Sequence, residues 1–212
     1  MLDDDEQLAV LDTVLEVAPG LPVMVGLAGV HQGDLMRRLK AFTTRPIAGV
    51  MVPAPYYMRP SQPGIADHFT RLAAHPNIQA LKDCGGSPDK TQALIADGRL
   101  AVLSGEGAAV FSALCMGGHG AIAASAQVRP DLFVAMYRAV QEQRLADARA
   151  IFHALAPLVR TLFDEPNPGG VKAALHHQGW VDNELRPPMS AVSQATQARL
   201  AKHLETLASA PC

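Results

Sequence analysis

The sequence predicts an α/β fold, an incomplete TIM (β/α)8-type barrel of about five parallel strands followed by a C-terminal helical extension. Three observations carry this. Short apolar or β-branched runs alternate with longer segments of helical period. The connections leave room for one helix each, the spacing that parallel strands require. After Pro130 the strands stop, and only helical period remains.

The elements follow in order. Asp3 to Val17 reads as a helix with Leu8, Leu11 and Leu15 on one face, ended by Pro19-Gly20. Pro22–Gly26 is the first strand, and Leu35, Met36, Leu39 and Phe42 mark the next helix. Ile47–Val52 is the second strand, followed by a helix over Ile65–Ala74. Ile78–Lys82, Leu100–Ser104 and Ala121–Ala124 complete the strands, with helices over Lys90–Asp97 and Glu106–Met116 between them. Asp131–Gln143, Arg144–Phe163, Gly170–Gln178 and Ser190–Leu207 are helical, broken at Pro166–Gly170 and Arg186-Pro187-Pro188. This divides the chain into a β/α core over residues 1–129 and helices over 130–212 that pack on the same domain. A closed barrel takes eight strands and typically ~250 residues, so the pattern fits a barrel while the count falls short.

Composition narrows the class. With 212 residues the chain is long enough for one domain with a substantial core. A net charge of −2 offers no basic surface for nucleic acid or acidic membrane. The three cysteines, Cys84, Cys115 and Cys212, are too scattered for a disulfide framework or a zinc site and read as reduced thiols. The histidines form no ligand-spaced cluster, and adjacent His176 and His177 point to different helix faces, so no metal is expected. No apolar stretch reaches transmembrane length, and the amino terminus is acidic, which predicts a soluble cytoplasmic protein with no membrane partner.

The chemistry centres on Lys82. In an alternating strand Ile78, Ala80 and Lys82 share one face, while Gln79, Leu81 and Asp83 share the other. In a β/α barrel the carboxyl ends of the strands face the active site. A lysine partly withdrawn from water there offers a neutral amine as a nucleophile toward a ketone. The plainer alternative is a strand-end lysine that snorkels to solvent and pairs with Asp83. Tyr57 lies just past another strand end, where a phenol can relay protons or simply anchor a proline-stiffened loop. Gly105 follows the run ending at Ser104 and either admits a ligand close to the backbone or starts a helix. Gly117-Gly118-His119-Gly120 lacks the strand-then-helix setting of a phosphate loop.

An ordered series of segments resembles the dihydrodipicolinate synthase / N-acetylneuraminate lyase family, class I Schiff-base aldolases built on (β/α)8 barrels, and within it 4-hydroxy-tetrahydrodipicolinate synthase-like proteins. The matching stretches are Pro53–Gln62 (PAPYYMRPSQ), Ile78–Asp83 (IQALKD), Val102–Glu106 (VLSGE), Gly117–Ile122 (GGHGAI), Glu165–Pro168 (EPNP), Val171-Lys172 and Leu185–Met189 (LRPPM). The resemblance implies that Lys82 forms a Schiff base with pyruvate or a related 2-keto acid. The resulting enamine would attack an aldehyde, or the reaction would run as cleavage of a sugar acid. It implies that Tyr57 reaches across a dimer interface, that the backbone of Ile122 lies beside the keto acid, and that Gly105 is the glycine at the adjacent strand end. It implies a lyase of lysine biosynthesis or sugar-acid breakdown, no cofactor, and assembly as a homo-oligomer.

The chain also departs from the family pattern. Family members carry a Gly-Thr-Thr-Gly-Glu-like loop before the helix that begins here near Asp3, and this sequence starts after it. They carry a strand ending in Tyr-Asn-x-Pro-x-Arg-Thr-Gly before the lysine strand. Here Phe69 is followed almost at once by Arg71–Asn77, which reads as the end of the next helix. One internal β/α unit is therefore missing, and with it a tyrosine and a carboxylate-gripping arginine. Loss of a general acid–base group alone typically costs roughly 10²–10⁴-fold in rate. Two readings follow: a Schiff-base lyase retaining Lys82, or a catalytically silent paralogue or gene remnant that pairs with an intact homologue.

Overall fold

A computed structural model describes residues 2–29, 31–53, 61, 63–64, 67, 73–74 and 76–208. The chain divides into two units, Met1–Pro60 and Ser61–Cys212.

In the first unit, α1 (Asp4–Val17) starts at a capping box. The Glu6 amide donates to Asp3 Oδ1 at 2.8 Å, and the Asp3 amide donates to Glu6 Oε2 at 3.0 Å, satisfying donors that a helix start leaves open. β1 (Met24–Gly26) pairs in parallel with β2 (Gly49–Met51), and α2 (Gln32–Thr43) makes the crossover between them. Leu11, Leu27 and Phe42 form the buried centre of this βαβ unit, with Leu8, Leu15, Leu35 and Leu39 packed around it. Both strands are shorter than their apolar runs, because only three residues in each exchange ladder hydrogen bonds.

The second unit contains a three-stranded parallel sheet in the order β3 (Ala80–Asp83), β4 (Ala101–Ser104), β5 (Gly120–Ala121). Ala80 stands opposite Ala101, Lys82 opposite Leu103, and Leu103 opposite Gly120. Between β3 and β4 lies α3 (Pro88–Asp97), with Ser87 Oγ accepting from the Lys90 amide, Pro88 in the first turn and Gly98 closing the helix at φ +70°. After β4 a 3-10 turn over Gly107–Ala109 leads into α4 (Val110–Cys115). The single helix expected over Glu106–Met116 is thus divided. At Gly107 a Cβ would lie 2.2 Å from Ser125 Oγ, so the backbone passes tightly against its neighbour before the α-helix begins.

The strand expected over Ala121–Ala124 ends earlier. After Ala121 the chain turns into a 3-10 segment over Ala124–Gln127, which buries Ser125 and carries Val128 into the helical core. Four helices follow: α5 (Pro130–Gln141), α6 (Leu145–Leu162), α7 (Gly169–His177) and α8 (Gln194–Ala208). The last starts four residues later than its sequence pattern because Ser193 is its cap, with Ser193 Oγ accepting from the Thr196 amide at 3.3 Å. Met136, Leu155, Leu158, Leu162 and Leu200 are the largest fully buried side chains of these helices, and Val110 and Leu114 of α4 join the same core.

The five described strands are all parallel, in two sheets, with helices as crossovers and no closed barrel. This is the incomplete (β/α)8 architecture that the alternating pattern predicted. The helix expected over Ile65–Ala74 lies largely outside the described residues, and so does Tyr57. No helix among the described residues is long and apolar enough to cross a membrane.

Candidate active site

The register of β3, β4 and β5 assigns every strand residue to one of two faces. Leu81, Asp83, Val102 and Ser104 point to the face covered by helices and are buried. Ala80, Lys82, Ala101 and Leu103 point to the other face and retain access to solvent. The alternation read from the sequence holds for Ala80–Asp83, whereas Ile78, expected on the Lys82 face, lies before the strand and packs with Leu81 and Val102 behind the sheet. Lys82 projects from the open face near the carboxyl end of its strand.

Backbone hydrogen bonds extend the ladder past the strand ends. The Gly105 amide donates to the Asp83 carbonyl at 2.7 Å, and the Ile122 amide donates to the Ser104 carbonyl at 2.8 Å. Two residues beyond Leu103 and Gly120 respectively, Gly105 and Ile122 continue the Lys82 face. Three of the expected residues, Lys82, Gly105 and Ile122, thus meet at one end of one sheet face.

Gly105 is where they come closest. A Cβ on Gly105 would stand 2.6 Å from Cys84 Sγ, 3.0 Å from Lys82 Cε and 3.1 Å from the Asp83 carbonyl oxygen. The missing side chain is therefore the space through which the lysine stem runs, and the glycine serves close approach here, not an unusual φ. Cys84 lies two residues past Lys82 on the same side of the strand and is a free, exposed thiol. The sequence marked it only as a scattered thiol. The available signal was its alternation with Lys82 opposite a glycine.

Asp83 does not partner Lys82. Its carboxylate faces the other way, with Oδ1 2.7 Å from Lys90 Nζ, and both side chains are buried at 6% and 7% exposure. Lys90 Nζ also donates to the Gly85 carbonyl at 2.6 Å, and Thr91 Oγ1 donates to Asp83 Oδ2. Every strong group of this buried cluster has a partner, the condition under which a buried pair is tolerated. It ties α3 to β3 and fixes the turn at Gly85, whose φ of +81° favours glycine. The Glu106 carboxylate lies against the same turn, where a Cβ on Gly85 would meet its oxygens at 2.8 Å. His119 belongs to the helix-covered face, held by a 3.3 Å contact from the Val102 amide to its Nδ1. Among the described residues no group of three or more His, Cys, Asp or Glu side chains is arranged to hold a metal ion.

Known proteins resemble the chain in sequence and in fold. Residues 69–207, more than half of the chain, match the Dihydrodipicolinate synthetase family. A 4-hydroxy-tetrahydrodipicolinate synthase of Hyphomonas neptunium is 33% identical, over 94% of this chain and 80% of the relative. One from Methanosphaerula palustris is 28% identical, over 97% of this chain and 81% of the relative. That alignment runs for 237 residues against the 212 of this chain, so the relative carries at least 25 residues inside the aligned span that are absent here. This is about the size of the missing β/α unit. The crystal structure of dihydrodipicolinate synthase from Thermotoga maritima superposes with a TM-score of 0.89 at 26% identity, covering 97% of this chain and 82% of that one. Sequence and fold together place the chain in the dihydrodipicolinate synthetase family, as a member shortened within its barrel.

Proposed function

We propose that this chain is a carbon–carbon lyase of the aldolase type whose amine, Lys82 Nζ, condenses with pyruvate or a related 2-keto acid. The observation that carries the reading is the placement of Lys82 on the open face of β3, with its stem running over Gly105 and its charge not engaged by Asp83. The amine adds to the ketone carbon, and loss of water leaves an iminium. The positive nitrogen then accepts the electron pair released when a proton leaves the adjacent methyl carbon. The enamine so formed adds to an aldehyde, and hydrolysis returns the lysine. Ile122 contributes backbone beside the bound acid, and Tyr57 a phenol that relays protons. The shared name of the relatives, 4-hydroxy-tetrahydrodipicolinate synthase, supports this chemistry class.

A second reading, a catalytically silent family member, is favoured by the residues this chain lacks within the aligned span. Among the described residues of β3, β4 and β5, the register also puts no arginine on the Lys82 face to grip a carboxylate. Borohydride reduction of the chain with pyruvate, read by peptide mass, separates the two. A pyruvyl adduct on Lys82 that is lost in Lys82→Ala establishes the lyase reading. A folded chain without adduct leaves the silent one.

A further inference from the structure

Cys84 and Lys82 share one site. Lys82 leaves β3 on the open face, Cys84 follows just past the strand end, and both converge on the point where a Gly105 side chain would be, Sγ at 2.6 Å from it and Cε at 3.0 Å. The pair, not the thiol alone, is the informative feature. A ketimine on Lys82 places its ketone-derived carbon two bonds from Cε and its methyl carbon three bonds from Cε. Sγ and Cε, 2.6 Å and 3.0 Å from that one point, are at most 5.6 Å apart, so the reacting methyl group is built outward from an atom within reach of the cysteine side chain.

By register, the other side chains that the described residues of β3, β4 and β5 and their extensions put on this face are Ala80, Ala101, Leu103 and Ile122, with Gly105 and Gly120. None of these can take up or release a proton. His119 is on the opposite face, the Asp83 carboxylate is committed to Lys90 and Thr91 there, and the Glu106 carboxylate lies against the Gly85 turn, not at Gly105. A thiol is a competent general acid–base group, and as thiolate it is also stabilised by a neighbouring cation such as an iminium.

We infer that Cys84 transfers the methyl proton in the Lys82 site, while Tyr57 is left to relay the protons of carbinolamine formation and dehydration; the role of Cys84 rests on the Schiff-base reading above. In the step assigned to it, the Cys84 thiolate removes a proton from the methyl carbon of the Lys82–pyruvate iminium. The C–H electron pair becomes the carbon–carbon double bond, the nitrogen is neutralised, and the thiolate becomes a thiol. The reverse transfer, from thiol to enamine carbon, regenerates the iminium. No oxidant or further reactant takes part.

Exchange of the methyl protons of pyruvate with deuterium oxide, followed by proton NMR, reports this step without an aldehyde. Adduct is trapped with borohydride in parallel samples, so that exchange is expressed per mole of Lys82 adduct. The full chain, Cys84→Ala, Cys84→Ser and Lys82→Ala are compared, with circular dichroism confirming that each is folded. The expected result is exchange per adduct reduced by about 10²-fold or more in both cysteine variants, and no exchange above solvent background in Lys82→Ala. The serine variant retains the shape of the site, so a loss there is chemical and not a packing effect. Exchange per adduct within twofold of the parent chain in Cys84→Ser overturns the role of the thiol and leaves the Schiff base standing. Absence of adduct on the folded parent chain overturns both.

Discussion

Lys90 Nζ lies 2.7 Å from Asp83 Oδ1, behind the strand from whose other face Lys82 projects. One strand thus carries two lysine-related arrangements of opposite kind, a neutralised pair on its buried side and an amine without that partner on its open side. The separation follows from the alternation of the strand and from Ser87, which starts α3 so that Lys90 falls within its first turn.

Removing one member of the buried pair leaves the other charged without compensation. Asp83→Ala and Lys90→Met are each expected to lower unfolding free energy by about 3–5 kcal/mol, and the double variant Asp83→Leu/Lys90→Met by less than the sum. Urea denaturation of the three variants measures this. Equal stability of Asp83→Ala and the parent chain would show that the pair does not form.

Gly105 tests the approach of the lysine stem. An added methyl group meets Cys84 Sγ, Lys82 Cε and the Asp83 carbonyl, and the carbonyl is backbone that cannot swing aside. Gly105→Ala is expected to slow trapping of a pyruvyl adduct on Lys82 by roughly tenfold to 10²-fold while helix content is retained. A borohydride time course against the parent chain reads the change, and an unaltered rate would remove Gly105 from the site.

Gly170 makes a close approach in the helical part of the second unit. A Cβ there would stand 2.3 Å from the Leu162 carbonyl oxygen and 2.9 Å from its carbon, where α7 meets the end of α6. Gly170→Ala is expected to cost about 1–3 kcal/mol through overpacking, seen as a lower thermal midpoint. The exposed Gly20, with nothing within 4 Å of a Cβ but a φ of +84°, separates strain from crowding: Gly20→Ala tests backbone conformation alone.

His203 supplies a pH dependence. Burial, followed by the nearby charges of Arg199, Lys202 and Arg160, holds its imidazole below the ordinary value of 6.5. The unfolded chain therefore binds a proton at higher pH than the folded chain, so stability is full above 6.5 and declines as pH falls through the depressed folded value. His203→Gln, which keeps a polar group near Thr161 Oγ1, is expected to flatten this part of the profile. Chemical denaturation at successive pH values decides it, and an unchanged slope would assign the dependence to other groups.

Much of this architecture was legible in the chain. Apolar runs gave the kind and order of the strands because buried parallel strands need little else, and alternation in Ala80–Asp83 put Lys82 on the correct side. Extents were less legible. β5 ends at Ala121 ahead of a 3-10 segment, and the turn at Gly107 lies where a Cβ would meet Ser125, a residue distant in sequence; no local pattern encodes either. Asp83 followed Lys82 in sequence and was its natural ion-pair candidate, whereas its partner, Lys90, arrives through the geometry of a turn and a helix. The proximity of Cys84 to the lysine stem became visible only once β4 brought Gly105 alongside, and Tyr57 lies outside the described residues.

The apolar clusters of the second unit are unequal. Among the described residues, Leu81, Leu94, Leu100 and Val102 alone form the buried cluster behind β3 and β4, whereas the cluster shared by the helices after Val110 contains twenty buried side chains. Segments with few buried apolar contacts open at lower free energy than the body that surrounds them. Amide hydrogens of β3 should therefore exchange with solvent well before those of α5 and α6. On the proposed chemistry Lys82 is thus carried on the part of the unit expected to open first, and a 2-keto acid captured there would slow that opening.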